Sequence, residues 1–290
     1  MGPFLLTFLT LFSLILFPRT SLSSCFEDFQ EEAEKVSLEH AEQFQIYRHS
    51  KGDLLMNLRP APGFKKRSYW VSSNSKPCSK WTKIDPDAKR IIALSGTHLS
   101  FVEMLKGLDR IVAVGQSRYV YNPQILKRVE TGEVSVLGHP PAVEKALKVK
   151  ADFIIGFSAL DPKMEIGKLA QGNFMPIVYV SEFFEKEPLA RAEWVKFFGV
   201  LWGKEQSAND FYQGIRRSYQ KTREKIRHQL EKKNAERKKV LLGSLKGGAW
   251  VGPSADSDIV KILRDVGGAY PFKATNGDGP IRLSPEKIFT

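Results

Sequence analysis

At 290 residues the chain is long enough for one large domain or two of ordinary size, and 42% hydrophobic content excludes a wholly disordered polypeptide. Two cysteines exclude a disulfide-dense scaffold and a cysteine-rich zinc module. The formal net charge is +12, and residues 214–239 supply +8 of it, with eleven Lys/Arg against three acids.

Residues 4–17, FLLTFLTLFSLILF, form the one strongly apolar segment, which excludes a polytopic membrane protein. Fourteen residues fall short of the ~20 that span a bilayer as a helix and fit the apolar core of a secretion signal. Residues 1–24 are therefore read as a signal peptide. Leu22-Ser23-Ser24-Cys25 resembles the bacterial lipobox, which implies that Cys25 becomes the lipidated first residue of the mature protein. The competing reading is an ordinary cleaved signal, with Cys25 free or paired to Cys78. Either way the protein is expected in the periplasm or at the cell surface, and under the first reading as a membrane-anchored lipoprotein.

Residues 25–89 are expected to be an N-terminal extension. Residues 26–43 are acidic and read as helical or loose, followed by strands at 44–47, 54–58 and 68–71 in a small antiparallel meander. From Arg90 the texture changes to continuous apolar runs at 90–94, 111–115, 152–156 and 176–180, as in strands buried on both faces. Helical patterns at 98–105, 143–150 and 164–171 alternate with them, which predicts a parallel α/β lobe over 90–187. Residues 188–238 read as one long linking helix with Phe211, Ile215, Tyr219, Ile226 and Leu230 on one stripe. A strand at 240–242 and a helix at 259–266 then open a second α/β lobe over 239–290. One strand cannot bury a core, so this lobe is expected to be incomplete and the chain to lack a C-terminal part. The fold class is thus α/β: two Rossmann-like lobes with parallel sheets, joined by one long helix, plus the small meander.

The sequence contains no GxxxxGK[ST], HExxH, CxxC or GxSxG. No two of His40, His49, His98, His139 and His228 lie three or four residues apart. The expectation is a protein that is not an enzyme and holds no cofactor or resident metal. The basic run 214–239 has two readings, a solvated helix face or a surface for polyanions.

Two α/β units joined by a helix make a cleft, because ligands bind outside the carboxyl ends of parallel strands. At this point the chain resembles the substrate-binding proteins of ABC importers for ferric siderophores, haem and cobalamin. The residues that carry the resemblance are RIIALSGTHLSF at 90–101, VLGHPPAVEKALKVKADFIIG at 136–156, LARAEW at 189–194, WVGPSADSDIVKILRDVGG at 250–268 and LSPE at 283–286. The resemblance implies capture of an iron-siderophore-type chelate, or alternatively cobalamin or haem, and its delivery to an ABC permease and its ATPase. It implies that Glu144 and Glu286 dock onto permease arginines. A monomer that binds chelated iron or a corrinoid, and no nucleic acid, is expected.

Residues just past strand ends are the candidate ligand contacts. In the first lobe these are Thr97, His98, Arg118, Tyr119, Tyr121, His139 and Phe157, and in the second Trp250 and Arg282. Aromatic rings offer flat apolar surface and arginines pair with ligand carboxylates. Hydrophobic packing is the second reading of Trp250, and His98 fits a helix-capping role better than ligation. Directly bound metal would want His98 and His139, but three or four ligands are needed and the second lobe shows no histidine.

Overall fold

The computed structural model describes residues 29, 32–59, 66–76, 81–157, 165–171, 175–233, 236–272, 279–284 and 286–289. The expected signal peptide, Cys25 and Cys78 lie outside these residues. Among the described residues no helix is long and apolar enough to cross a membrane.

Five strands, β1 (Ala33–Val36), β2 (Phe44–His49), β3 (Leu54–Leu58), β4 (Arg67–Val71) and β5 (Thr82–Ile84), form an N-terminal sheet in that spatial order. The first four pair antiparallel and β5 joins β4 in parallel. Phe44, Ile46, Met56 and Tyr69 point into the main core, while Tyr47, Leu55 and Trp70 gather with Phe29 on the other face. β1 corrects the expectation of a helical or loose segment at 26–43. Its Glu34 and Lys35 pair with Arg48 and Tyr47 of β2. Charged residues of low strand propensity are common on an edge strand, where the neighbour's backbone supplies the pairing.

The second sheet has β6 (Ile91–Ala93), β7 (Ile111–Val114), β8 (Ser135–Val136), β9 (Phe153–Phe157) and β10 (Ile177–Val180). Their order is β10-β9-β6-β7-β8 and every pair is parallel. The apolar runs are therefore strands covered on both faces, as the sequence predicts. Helices α1 (Gly96–Met104), α2 (Pro123–Glu130), α3 (Val143–Lys148) and α4 (Glu165–Gln171) belong to this lobe. β8 and α2 are additional to the predicted elements. A two-residue strand leaves no period to read, whereas α2 carries a clear start signal. Asn122 Oδ1 accepts from the Ile125 N–H at 3.0 Å and Pro123 opens the helix.

The expected single linking helix is two helices, α5 (Pro188–Leu201) and α6 (Glu205–Lys233), parted by Trp202-Gly203-Lys204. Gly203 has φ +60°, the left-handed conformation that ends helices. The chain reverses there. The Lys196 ammonium sits 4.4 Å from the Tyr212 ring centroid, contact across a hairpin that a straight helix would never make. Gly199 permits the close crossing, since a Cβ on it would lie 2.5 Å from that of Ala208. α5 buries Trp194, Phe197, Phe198 and Leu201 in the core shared by both sheets.

Two carboxylates of this region hold the chain between β1 and β2. Glu193 accepts hydrogen bonds from the N–H groups of Glu39, His40 and Ala41 at 2.7–3.1 Å and from Lys196 Nζ at 2.7 Å. Glu185 accepts from the N–H groups of Glu42 and Gln43 and from Trp194 Nε1. Burial opposes ionisation of Glu193, but Lys196 and the three amides outweigh it and hold the carboxyl below the usual range. At Glu185 burial prevails over the same kind of bonds and pushes the carboxyl up.

The C-terminal region holds β11 (Ser244–Lys246), β12 (Ala249–Gly252) and β13 (Ile281–Leu283), with α7 (Asp258–Asp265) and α8 (Glu286–Phe289). Its three strands pair antiparallel, which corrects the expected parallel sheet in the second lobe. Gly247 and Gly248 both have positive φ, at +56° and +74°, and close β11 onto β12 in a two-residue hairpin. Residues 240–242, predicted as a strand, do not form one, and beside them Lys239 makes a single parallel bridge to Ala269. α7 ties the region to the helical hairpin: Arg191 pairs with Asp258 at 2.8 Å, and the Tyr219 hydroxyl donates to Asp265 at 2.6 Å.

Candidate functional site

β6 is the central strand of the parallel sheet, with β7 on one side and β9 on the other. Connections leaving its neighbours in opposite directions open a crevice at the carboxyl ends, the switch point of such sheets. A cavity of about 590 Å³ lies there. Ser95, Gly96 and Thr97 follow β6, Gln116 and Arg118 follow β7, and His139 follows β8.

Backbone packing sets its shape. Ser95 caps α1, its Oγ accepting from the Thr97 N–H at 3.3 Å. A Cβ on Gly96 would stand 2.0 Å from the Tyr119 carbonyl oxygen, so only glycine lets the turn at 117–119 close on the start of α1. A Cβ on Gly115 would likewise stand 2.6 Å from the Leu94 oxygen. The close approach sets Arg118 and Tyr119 at the rim, with the guanidinium carbon 4.8 Å from the Tyr119 ring centroid. Tyr119 is 49% exposed and Tyr121 84% exposed, large apolar surfaces held in solvent.

The structure brings together six of the nine predicted ligand contacts: Thr97, Arg118, Tyr119, Tyr121, His139 and Phe157. Three stand elsewhere. His98 is fully buried under α1, its ring centroid 6.0 Å from that of Phe198 and its Nε2 3.7 Å from Glu182 Oε2. It is neither the cap nor a cavity residue. One position in a helix separates it from Thr97 and turns its side chain to the core side, about 100° around the axis. Burial raises the Glu182 carboxyl, and the facing imidazole more than compensates, leaving it below the usual range.

Trp250 and Arg282 also stand away from the cavity, whose lining residues all fall between Leu94 and Phe157. The Trp250 indole packs on Gly243, where a Cβ would lie 2.7 Å from its Nε1. Arg282 is exposed in β13 opposite Val251. Both were placed past strand ends of a parallel sheet, and the antiparallel pairing moves them into strands. Ser95, Ser100, Gln116 and Pro141 line the cavity without having been predicted. The signal for Gln116 is its place directly after the 111–115 run. No such signal marks Ser100, which lies one turn into α1.

The wall has a chemical bias. Among the described residues Arg118 is its one permanent cation, and no Asp or Glu lines it. Hydroxyls of Ser95, Thr97, Ser100, Tyr119 and Tyr121 add polar contacts beside the Phe157 ring. Such a surface is chemically suited to an anionic ligand with flat apolar parts. Among the described residues no group of three His, Cys, Asp or Glu is placed to hold a metal ion.

The sequence pattern of the family described as periplasmic binding protein matches residues 91–290, more than two thirds of the chain. The chain belongs to the periplasmic binding protein family. Solved members share the fold. A periplasmic haem-binding protein from Pseudomonas aeruginosa superposes with a TM-score of 0.56 at 21% identity, covering 69% of this chain and 68% of that one. The siderophore-binding protein FhuD from Vibrio cholerae, solved with Fe3+–Desferal bound, gives 0.52 at 19% identity over 69% and 74%. The vitamin B12-binding protein BtuF of Vibrio cholerae gives 0.50 at 18% over 69% and 72%. In sequence, an uncharacterized lipoprotein of Methanocaldococcus jannaschii is 24% identical over 241 residues, 76% of this chain. The chain spans 56% of that relative's length. This periplasmic binding protein is thus a mixed α/β protein of an extracytoplasmic, substrate-binding family.

The two predicted docking acids lie at helix starts on the surface. Glu144 is exposed in the first turn of α3, and Glu286 is exposed at the first residue of α8. A hydrogen bond from Ser284, with the Glu286 backbone N–H, holds the Glu286 carboxyl below the usual range.

Proposed function

We propose that this protein captures an anionic ferric chelate of the siderophore type in the cavity past β6 and β7 and presents it to an ABC permease. The observation that carries this reading is the lining itself, which among the described residues has one arginine, two exposed tyrosines and no carboxylate. A charge-assisted bond from Arg118 to the chelate is worth more than a neutral one, and Tyr119, Tyr121 and Phe157 supply the apolar faces. Thr97 and His139 complete the contact set. The matched proteins that bind haem, Fe3+–Desferal and vitamin B12 support a bulky chelate or macrocycle as the cargo.

Glu144 and Glu286 serve the second half of the task. Exposed acids steer association with a basic permease surface and fix its register. Cys25, outside the described residues, anchors the protein through its lipid and keeps it near the permease. Two acyl chains suffice for stable anchoring.

Isothermal titration of the purified protein with a ferric hydroxamate, a ferric catecholate, haemin and cobalamin tests the reading. Binding of a ferric siderophore in preference to the other two supports it. Tight cobalamin or haemin binding with no response to either ferric chelate would overturn the choice of cargo.

A further inference from the structure

Helix α6 presents two opposed faces. Ile215, Tyr219, Ile226 and Leu230 recur on one side, where Tyr219 bonds Asp265 and Leu230 closes on Gly267. These contacts fix the rotation of the helix. On the other side Arg217, Lys221, Lys225, His228 and Lys232 follow at spacings of four, four, three and four residues, and all five are exposed. At 3.6 residues per turn they share an arc of about 80° along about 22 Å of axis.

Among the described residues none of Arg217, Lys221, Lys225 and Lys232 forms an ion pair, whereas flanking Arg216 pairs with Glu39 at 2.9 Å and Arg227 with Glu231 at 3.9 Å. Like charges four apart repel, as Arg217, Lys221 and Lys225 do, and the acid Glu224 lies close beside the line. A straight, flat line of cations complements a planar anionic surface. No aromatic residue interrupts it, so bases of a nucleic acid would find no stacking platform. Outside the described residues the chain carries the apolar run at 4–17, and Phe29, close behind it, is packed on Trp70 at 5.2 Å. Under the reading that the run belongs to a signal peptide and that Cys25 carries the lipid, the anchor stands four positions before Phe29, holds the folded body beside a bilayer and raises the effective concentration of the stripe there.

We propose that the stripe from Arg217 to Lys232 docks on the anionic phosphate headgroups of a lipid bilayer. The choice of a bilayer as occupant rests on the lipoprotein reading above. The stripe orients the tethered protein on the membrane.

Flotation of the processed protein, which begins at Cys25, with vesicles tests the proposal. Phosphatidylcholine vesicles report the lipid on Cys25, and capture by them bears on the lipoprotein reading alone. Vesicles with added phosphatidylglycerol report the stripe through the gain over neutral lipid. Each basic residue near an anionic surface contributes about fivefold, so four give roughly 600-fold, a gain that ~1 M salt abolishes. The variant combining R217Q, K221Q, K225Q and K232Q is expected to bind both vesicles equally. A control combining K83Q, K127Q, K168Q and K246Q, all exposed and off the stripe, keeps the anionic preference. Equal loss in the control, or full preference in the stripe variant, would overturn the proposal. So would heparin binding that requires the stripe, combined with no anionic-vesicle preference in the unaltered chain.

Discussion

The parallel sheet of β6–β10 and the antiparallel sheet of β11–β13 differ in what covers them. All residues of β6, β7 and β10 are buried, whereas all three of β11 are exposed. The shared core runs from Phe44 to Tyr212, and the described C-terminal region adds only Ala255, Val260 and Ile281 as buried apolar residues. Strand pairing is thus common to both sheets, but two-sided burial belongs to one. The cavity sits on the sheet that is covered on both faces, and α7 joins the C-terminal region to α5 and α6, with Asp258 paired to Arg191 and Asp265 bonded by Tyr219.

Hydrogen exchange exposes the largest expected contrast. Amides of β6, β7, β9 and β10 are expected to exchange only through global opening, and those of β11–β13 through local opening several kcal/mol cheaper. Limited proteolysis is expected to cut first beyond about residue 235 and to leave 90–233 intact. Equal protection of both sheets would break the comparison.

The next effect concerns the clasp that joins the N-terminal sheet to the parallel lobe. Glu193→Ala leaves Lys196 and three amides without their acceptor, with an expected loss of about 3–5 kcal/mol by denaturant titration. The two carboxylates of the clasp carry opposite pH signatures. Glu193 lies below its unfolded value, so its contribution is present above the ordinary carboxylate range and disappears as pH falls through the folded value. Glu185 lies above its unfolded value, so its contribution weakens as pH rises through that window. Glu193→Gln should therefore flatten the acid limb of the stability curve and Glu185→Gln should steepen it. The same change of slope in both variants would contradict the assignment.

The smallest effect sharpens the docking of the C-terminal region. Tyr219→Phe removes the bond to Asp265 and is expected to cost about 0.5–1.5 kcal/mol. Faster exchange confined to α7 and its neighbours would show that α6 holds the region in place, while an effect spread over β6–β10 would show the two sheets to be one cooperative unit.

The sequence made the buried elements legible and the exposed ones less so. Continuous runs such as Ile111–Val114 report two-sided burial by themselves. The hairpin at Gly203 was hidden because both arms carry helical periodicity and a single glycine is tolerated within helices. The pairing of β11–β13 was hidden because the runs are short, and its one strong sign is the turn at Gly247-Gly248. At the site, position after a strand end found six residues of the cavity wall in the parallel lobe. The same rule misplaced Trp250 and Arg282, since an antiparallel sheet has no common carboxyl edge. His98 failed for a different reason: adjacent residues of a helix face different sides.

The proposed function turns on Arg118 holding an anionic chelate in a cavity that, among the described residues, no carboxylate lines. Calorimetric titration of a ferric siderophore and of cobalamin against the unaltered protein and Arg118→Ala measures this directly. The predicted result is a loss of about 1.5–3 kcal/mol, roughly 10- to 150-fold, for the anionic chelate and little change for cobalamin. Unchanged siderophore affinity in Arg118→Ala, or an equal loss for both ligands, would contradict it.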